Sequence, residues 1–106
     1  MNQTLQLVQE LVARGEIRIS EHGYDELTAD NISVEDVLHG VAKADLVEDY
    51  PGYFKGPSVL VLQKDTKGLP IHVVWGIPKR AATPAVIVTS YRPQTDKWSN
   101  DFKTRL

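Results

Sequence analysis

With 106 residues, 42% hydrophobic and 25% charged, the chain is long enough for one hydrophobic core and too short for two, so it reads as a single domain over 1–106. No apolar run approaches the roughly 20 residues that span a bilayer, and the opening MNQTLQLVQELVARGE is too polar and acidic for a secretory leader, which predicts a cytoplasmic protein with no membrane partner. Zero cysteines exclude disulfides, thiolate chemistry and cysteine-bound zinc, while the net charge of −2 divides into −8 over residues 1–54 and +6 over residues 55–106.

That imbalance suits an anionic ligand such as nucleic acid at the C-terminal half, or a charged protein partner; segregation of solvated surfaces accounts for it equally well.

The first segment, TLQLVQELVARGE, carries Leu5, Val8, Leu11 and Val12 at helical spacing, with Gly15 as its stop. A short extended piece, IRIS, then leads to Ser20, whose hydroxyl suits the cap of a second helix over about 21–29. Ile19 and Tyr24 stand at staple positions around that cap, and Asn31 suits a left-handed stop. In ISVEDVLHGV the third helix has its cap at Ser33, Asp36 at the capping-box position, and an apolar stripe of Val34, Val37, Leu38 and Val41.

After Ala44 the pattern becomes extended. DLVEDY, SVLVLQK, PIHVVWGI and AVIVTSYR are rich in β-branched and aromatic residues and are separated by Pro51-Gly52, DTKG and PKRAATP. The expected fold is α+β, with N-terminal helices packed on one face of a four-stranded antiparallel sheet. In the polar tail PQTDKWSNDFKTRL, Trp98 and Phe102 are four apart, a spacing that predicts a short helix docking both rings on the body.

Histidine is the natural proton-transfer group near neutral pH. His39 falls at the end of the third helix, where a cation is favourable for structural reasons alone. His72 alternates away from Ile71, Val73, Trp75 and Ile77, so it belongs on the sheet face opposite the helices, where a half-exposed histidine is common without any chemistry. In VIVTSYRP, simple alternation sets Ile87, Thr89 and Tyr91 against Val88, Ser90 and Arg92. Arg92 offers a planar fork for phosphate and Tyr91 a ring or hydroxyl, with Lys79 and Arg80 adding charge from the preceding loop. Phosphate-loop, zinc-protease and serine-elbow motifs are absent. Glu21, His22 and His72 lack any metal-ligand spacing, so no metal site is assigned.

The succession SEH, NISVEDVL, ADLVEDYP, GPSVLVL, PIHVVWG, VIVTSYRP and DKW resembles a widespread prokaryotic domain of unknown function over about residues 18–102. That domain is similar to the small RelE-like and barnase-like ribonuclease toxins. The resemblance implies a metal-independent endoribonuclease of toxin-antitoxin type that needs no cofactor, with RNA and an antitoxin-like protein as partners. It also implies roles: His22 and His72 as proton-transfer groups, and Thr89 and Tyr91 as substrate-positioning catalytic residues; this chain's own Arg92, Lys79, Arg80 and Ser90 are the substrate-binding residues expected beside them. One departure stands out, because Glu26 and Asp30 occupy positions where that domain commonly carries arginine. The alternative expectation is a catalytically inactive protein-binding module of the same fold.

Overall fold

The four extended segments of the C-terminal half pair as a meander, and a fifth strand joins them. The structure, a computed structural model, describes residues 2–106. Its elements are α1 (Gln3–Ala13), β1 (Ile17–Ile19), α2 (Glu21–Ala29), α3 (Val34–Gly40), a single 3-10 turn (Val41–Lys43), β2 (Asp45–Tyr50), β3 (Ser58–Lys64), β4 (Pro70–Gly76) and β5 (Ala85–Tyr91). The strands lie in the order β1-β5-β4-β3-β2. The fold is therefore α+β, but the sheet is five-stranded and mixed rather than four-stranded and antiparallel. β1 runs parallel to β5, with Ile17 opposite Ala85 and Ile19 opposite Ile87. Three residues carry too little alternation to announce a strand, and the partner of β1 lies far along the chain.

The helix boundaries follow their caps. Ser20 Oγ accepts from the Gly23 amide at 2.9 Å and Ser33 Oγ from the Asp36 amide at 3.1 Å. Asn2 does the same for α1, its Oδ1 accepting from the Leu5 amide at 2.8 Å. Gly15 (φ 75°) and Asn31 (φ 54°) take the left-handed conformation just past α1 and α2.

Helices and sheet share one core. Val8, Leu11, Leu27 and Val37 pack on Val61, Ile71, Val73, Trp75 and Ile87, all buried. The predicted inward face of β4 is thus correct. Within this core Gln63 donates from Nε2 to the Val37 carbonyl (2.9 Å) and accepts from Trp75 Nε1 (2.9 Å), so its buried amide is satisfied and pins α3 to the sheet. α2 continues the edge of β5 where β1 ends. It approaches so closely that a Cβ on Gly23 would lie 2.6 Å from the Ile87 carbonyl oxygen, so the helix needs glycine at that turn.

Two β-bulges decide which side chains reach the other, outward face. On β5, Val74 pairs with Thr89 and Trp75 with Ile87, leaving Val88 extra; on β2, Leu46 pairs with Val61 and Glu48 with Leu60, leaving Val47 extra. Beyond each bulge the alternation is reversed. Ile87 and Ser90 consequently both point inward, while Thr89 and Tyr91 share the outward face with Val74 and His72, which corrects the simple alternation expected for this strand.

The tail packs on that outward face, but as turns rather than the expected helix. Asp101 Oδ1 accepts from Ser99 Oγ (2.6 Å) and from the Lys103 amide (3.1 Å), and Phe102 takes a positive φ of 60°. These local bonds compete with helical ones. Trp98 is buried and pairs with Arg105 in an isolated antiparallel bridge. Among the described residues no helix is long and apolar enough to cross a membrane.

Candidate functional site

The outward face of the sheet has two unlike ends. At one, the tail covers His72, whose exposure is 0%. The ring is held on both nitrogens: Nδ1 lies 3.1 Å from Tyr91 Oη and Nε2 2.8 Å from the Phe102 carbonyl oxygen. A carbonyl only accepts, so Nε2 carries the proton and Nδ1 accepts from the Tyr91 hydroxyl in the neutral ring. Trp98 and Tyr91 meet the imidazole edge-on, with centroids 4.4 and 5.3 Å away. Burial holds the His72 pKa below the usual imidazole value, against the Phe102 hydrogen bond. Burial likewise pushes the Tyr91 phenol up.

Around this ring the β2 bulge brings Glu48 and Tyr50. Arg105 donates to both Glu48 oxygens at 2.9 Å, and the Tyr50 hydroxyl donates to the same carboxylate. The Arg105 bonds hold the Glu48 carboxyl below its ordinary range, whereas burial and then Glu48 raise the Tyr50 phenol. The Arg105 guanidinium also lies 4.7 Å from the Trp98 ring centroid, so the tail is closed by a cation, an aromatic ring and a carbonyl together. His72 is therefore neither half-exposed nor accessible to a substrate. Its bonding is complete.

Arg92 also departs from its expected role, although its bonding is not complete, since its buried Nη1 has no hydrogen-bond partner among the described residues. Its Nη2 lies 3.1 Å from Asp65 Oδ2, in the turn between β3 and β4. Asp65 Oδ1 accepts from the Lys67 and Leu69 amides, both at 2.9 Å. Burial raises the Asp65 carboxyl, but the Leu69 and Lys67 bonds and Arg92 outweigh it, leaving the pKa below the ordinary range. The β5 bulge is the physical reason, since it directs Arg92 toward the helix side of the sheet, opposite Tyr91. Ser90 is buried and donates to the His72 carbonyl at 3.1 Å, a tie between β5 and β4 rather than a substrate contact. Thr89 is half-buried on the outward face.

The other end of the outward face is open. A groove of about 480 Å³ runs between the start of α2 and the loop after β2, lined by His22, Arg18, Lys55, Tyr53, Ser58 and Val88, with Glu21 as its one carboxylate. The His22 side chain is 67% exposed, with Nε2 3.4 Å from Glu26 Oε1 one helical turn on. The Ser20 hydroxyl fixes this end of α2 twice, accepting from Gly23 and donating to the Val88 carbonyl at the bulge (2.9 Å). Arg18 and Lys55 make no ion pair with a carboxylate among the described residues, in contrast to Arg92 and Arg105. Lys79 and Arg80 are exposed in the loop that leaves the groove rim at Pro78, and the Lys79 amide bonds the Lys55 carbonyl at 2.9 Å.

The structure thus separates the sequence-predicted residues. His72 and Tyr91 belong to the closed end, Ser90 and Arg92 to the helix side of the sheet, and His22 with Lys79 and Arg80 to the open end. A second hollow, of about 410 Å³, holds Tyr91, Arg92 and Arg105 beside Glu26 and Asp30, so His22 and Tyr91 line different concavities. Both departures from arginine have local partners: Glu26 meets His22, and Asp30 Oδ2 accepts from the Arg92 amide at 2.8 Å. Arg18 and Lys55 were missed because neither sits in a motif. The only signals were Arg18 four residues before His22 and Lys55 directly after two aromatic residues. No group of three or more metal-ligating side chains forms among the described residues.

No curated protein and no solved structure matches the chain. A family match does exist, and it spans residues 19–92, from the last residue of β1 through Arg92 just past β5, so it takes in α2 and both ends of the outward face. The chain belongs to the family described as a domain of unknown function, DUF4258.

Proposed function

We propose that the domain is a cytoplasmic, metal-independent endoribonuclease of toxin type, akin to the RelE-like and barnase-like enzymes, and that its chemistry belongs to the open groove. The observation that supports this reading most is that one exposed imidazole, His22, lines the same groove as two cations with no ion-pair partner among the described residues, Arg18 and Lys55. In the proposed reaction His22 takes the proton of a ribose 2′-hydroxyl. The 2′-oxygen then bonds to phosphorus, the bond from phosphorus to the 5′-oxygen breaks, water protonates the leaving oxygen, and the hydroxide so formed takes the proton back from His22, which restores the neutral ring. Glu26 orients the ring, and Arg18 and Lys55 stabilise the charge on the phosphate oxygens. The products are a 2′,3′-cyclic phosphate and a 5′-hydroxyl.

The test is cleavage of a labelled RNA by purified protein in EDTA. His22→Ala is expected to lower the rate by about 10²- to 10⁴-fold, the usual contribution of a positioned acid-base group. Intact RNA with the wild-type protein, or full activity in His22→Ala, overturns the reading. The inactive binding-module alternative has its own support at the outer edge of β2, which ends the sheet and exposes Leu46 (40%), a place for an antitoxin-like partner to add a strand.

A further inference from the structure

Beside the groove lies a smaller hollow of about 240 Å³, lined by Tyr50, Tyr53, Ser58, Val74 and Val88. Tyr53, Ser58 and Val88 line both, so the two are continuous. Its floor is the pair of aliphatic side chains Val74 and Val88, and its walls are two phenol rings. Tyr50 is fixed there because its hydroxyl donates to Glu48, itself gripped by Arg105. Tyr53 is 43% exposed and begins a run of Tyr53, Phe54 and Lys55 on one loop, with the two rings 4.9 Å apart and the Lys55 ammonium 5.7 Å from the Phe54 centroid. The loop is held by Gly56, at φ 130°, where an added Cβ would lie 1.9 Å from the Ile77 carbonyl oxygen. A shallow apolar slot walled by aromatic rings and opening onto free cations has the composition of a site that stacks a base while holding the attached phosphates.

We propose that this slot receives one unpaired nucleobase of the RNA, stacked against Tyr53 over Val74 and Val88, with its flanking phosphates toward Lys55 and Arg18. The inference rests on the reading of the groove as an RNA site and deepens it, because a base inside a duplex cannot enter the slot. The substrate class is then single-stranded RNA. Charge complementarity favours this occupant over an apolar side chain of a protein, which would leave both cations without partners.

Binding is measured by fluorescence anisotropy with a labelled, uncleavable 2′-O-methyl oligonucleotide, a version of it in which every position is abasic, and its duplex. The full-length protein is expected to prefer the single strand with bases by at least about tenfold over both other forms. Tyr53→Ala is expected to weaken that binding by about 5- to 150-fold, the effect of losing one stacked base, while Tyr53→Phe retains it. Equal affinity for the abasic strand or the duplex, or no loss in Tyr53→Ala, overturns the base slot yet leaves the RNA reading standing on the cations. Failure of every RNA form to bind overturns both, and leaves the slot to an apolar side chain of a protein partner.

Discussion

His22 and His72 are reached from the same side of one sheet and have opposite surroundings. His72 is sealed, bonded on both ring nitrogens and covered by the tail; His22 is mostly exposed and touches one carboxylate. The difference teaches that the position of a histidine on an outward sheet face does not decide its use. What decides it is whether its hydrogen-bonding capacity has already been spent on the fold. At the closed end the imidazole, Tyr91, Glu48 and Arg105 stabilise the docking of the tail. At the open end the imidazole and cations retain capacity for a ligand.

The contrast is sharpened most by truncating each ring. His72→Ala removes a fully buried side chain and leaves the Tyr91 hydroxyl and Phe102 carbonyl without their partner, so it should cost about 3 kcal/mol of stability. His22→Ala, at an exposed site, should change stability by less than about 0.5 kcal/mol. Urea denaturation of the two variants measures both. Equal costs would erase the distinction between the ends.

A second, smaller effect is the pH dependence of the closed end. The native His72 pKa is held below 6.5, so beneath that pH the unfolded chain binds a proton that the native ring refuses. Stability should be level above about pH 6.5 and fall as pH drops below it, by at most about 1.4 kcal/mol per pH unit. The lowered carboxyls of Glu48 and Asp65 act in a separate window, since their contribution is complete above their unfolded values and is lost as pH falls through the lower native ones. Denaturation midpoints between pH 7 and 5 test the histidine part, which should vanish in His72→Gln.

The smallest expected effect is at the tail's ion pair. Arg105 is largely exposed, so Arg105→Gln should cost about 1 kcal/mol or less despite its two bonds to Glu48. Hydrogen exchange should nonetheless speed up first at Trp98 and Phe102, because the tail is the element this bond closes. Faster exchange confined to α1 would contradict that assignment.

Much of the frame was legible in the chain. Ser20 and Ser33 announced two helices by capping chemistry, and the alternation of Ile71, Val73, Trp75 and Ile77 announced the inward face of β4. Less legible was anything that depends on a partner distant in sequence. The parallel pairing of β1 has no local signature, and the bulges at Val47 and Val88 reverse alternation without Gly or Pro to mark them. That reversal is why Tyr91, expected on the face of Ile87, points outward, while Arg92, expected on the face opposite Ile87, turns to the helix side and meets Asp65. Of the candidate site, His22 could be read from its place after a helix cap. The unpaired state of Arg18 and Lys55 could not, since it depends on which side chains the fold brings beside them.

The division between the two ends is tested most directly by following the imidazole proton resonances of both histidines while the uncleavable single-stranded 2′-O-methyl oligonucleotide is added. His22 should shift progressively to saturation, and His72, under the tail, should stay where it is. A static His22 signal, or a His72 signal that moves in its place, would contradict the assignment of the ligand to the open groove.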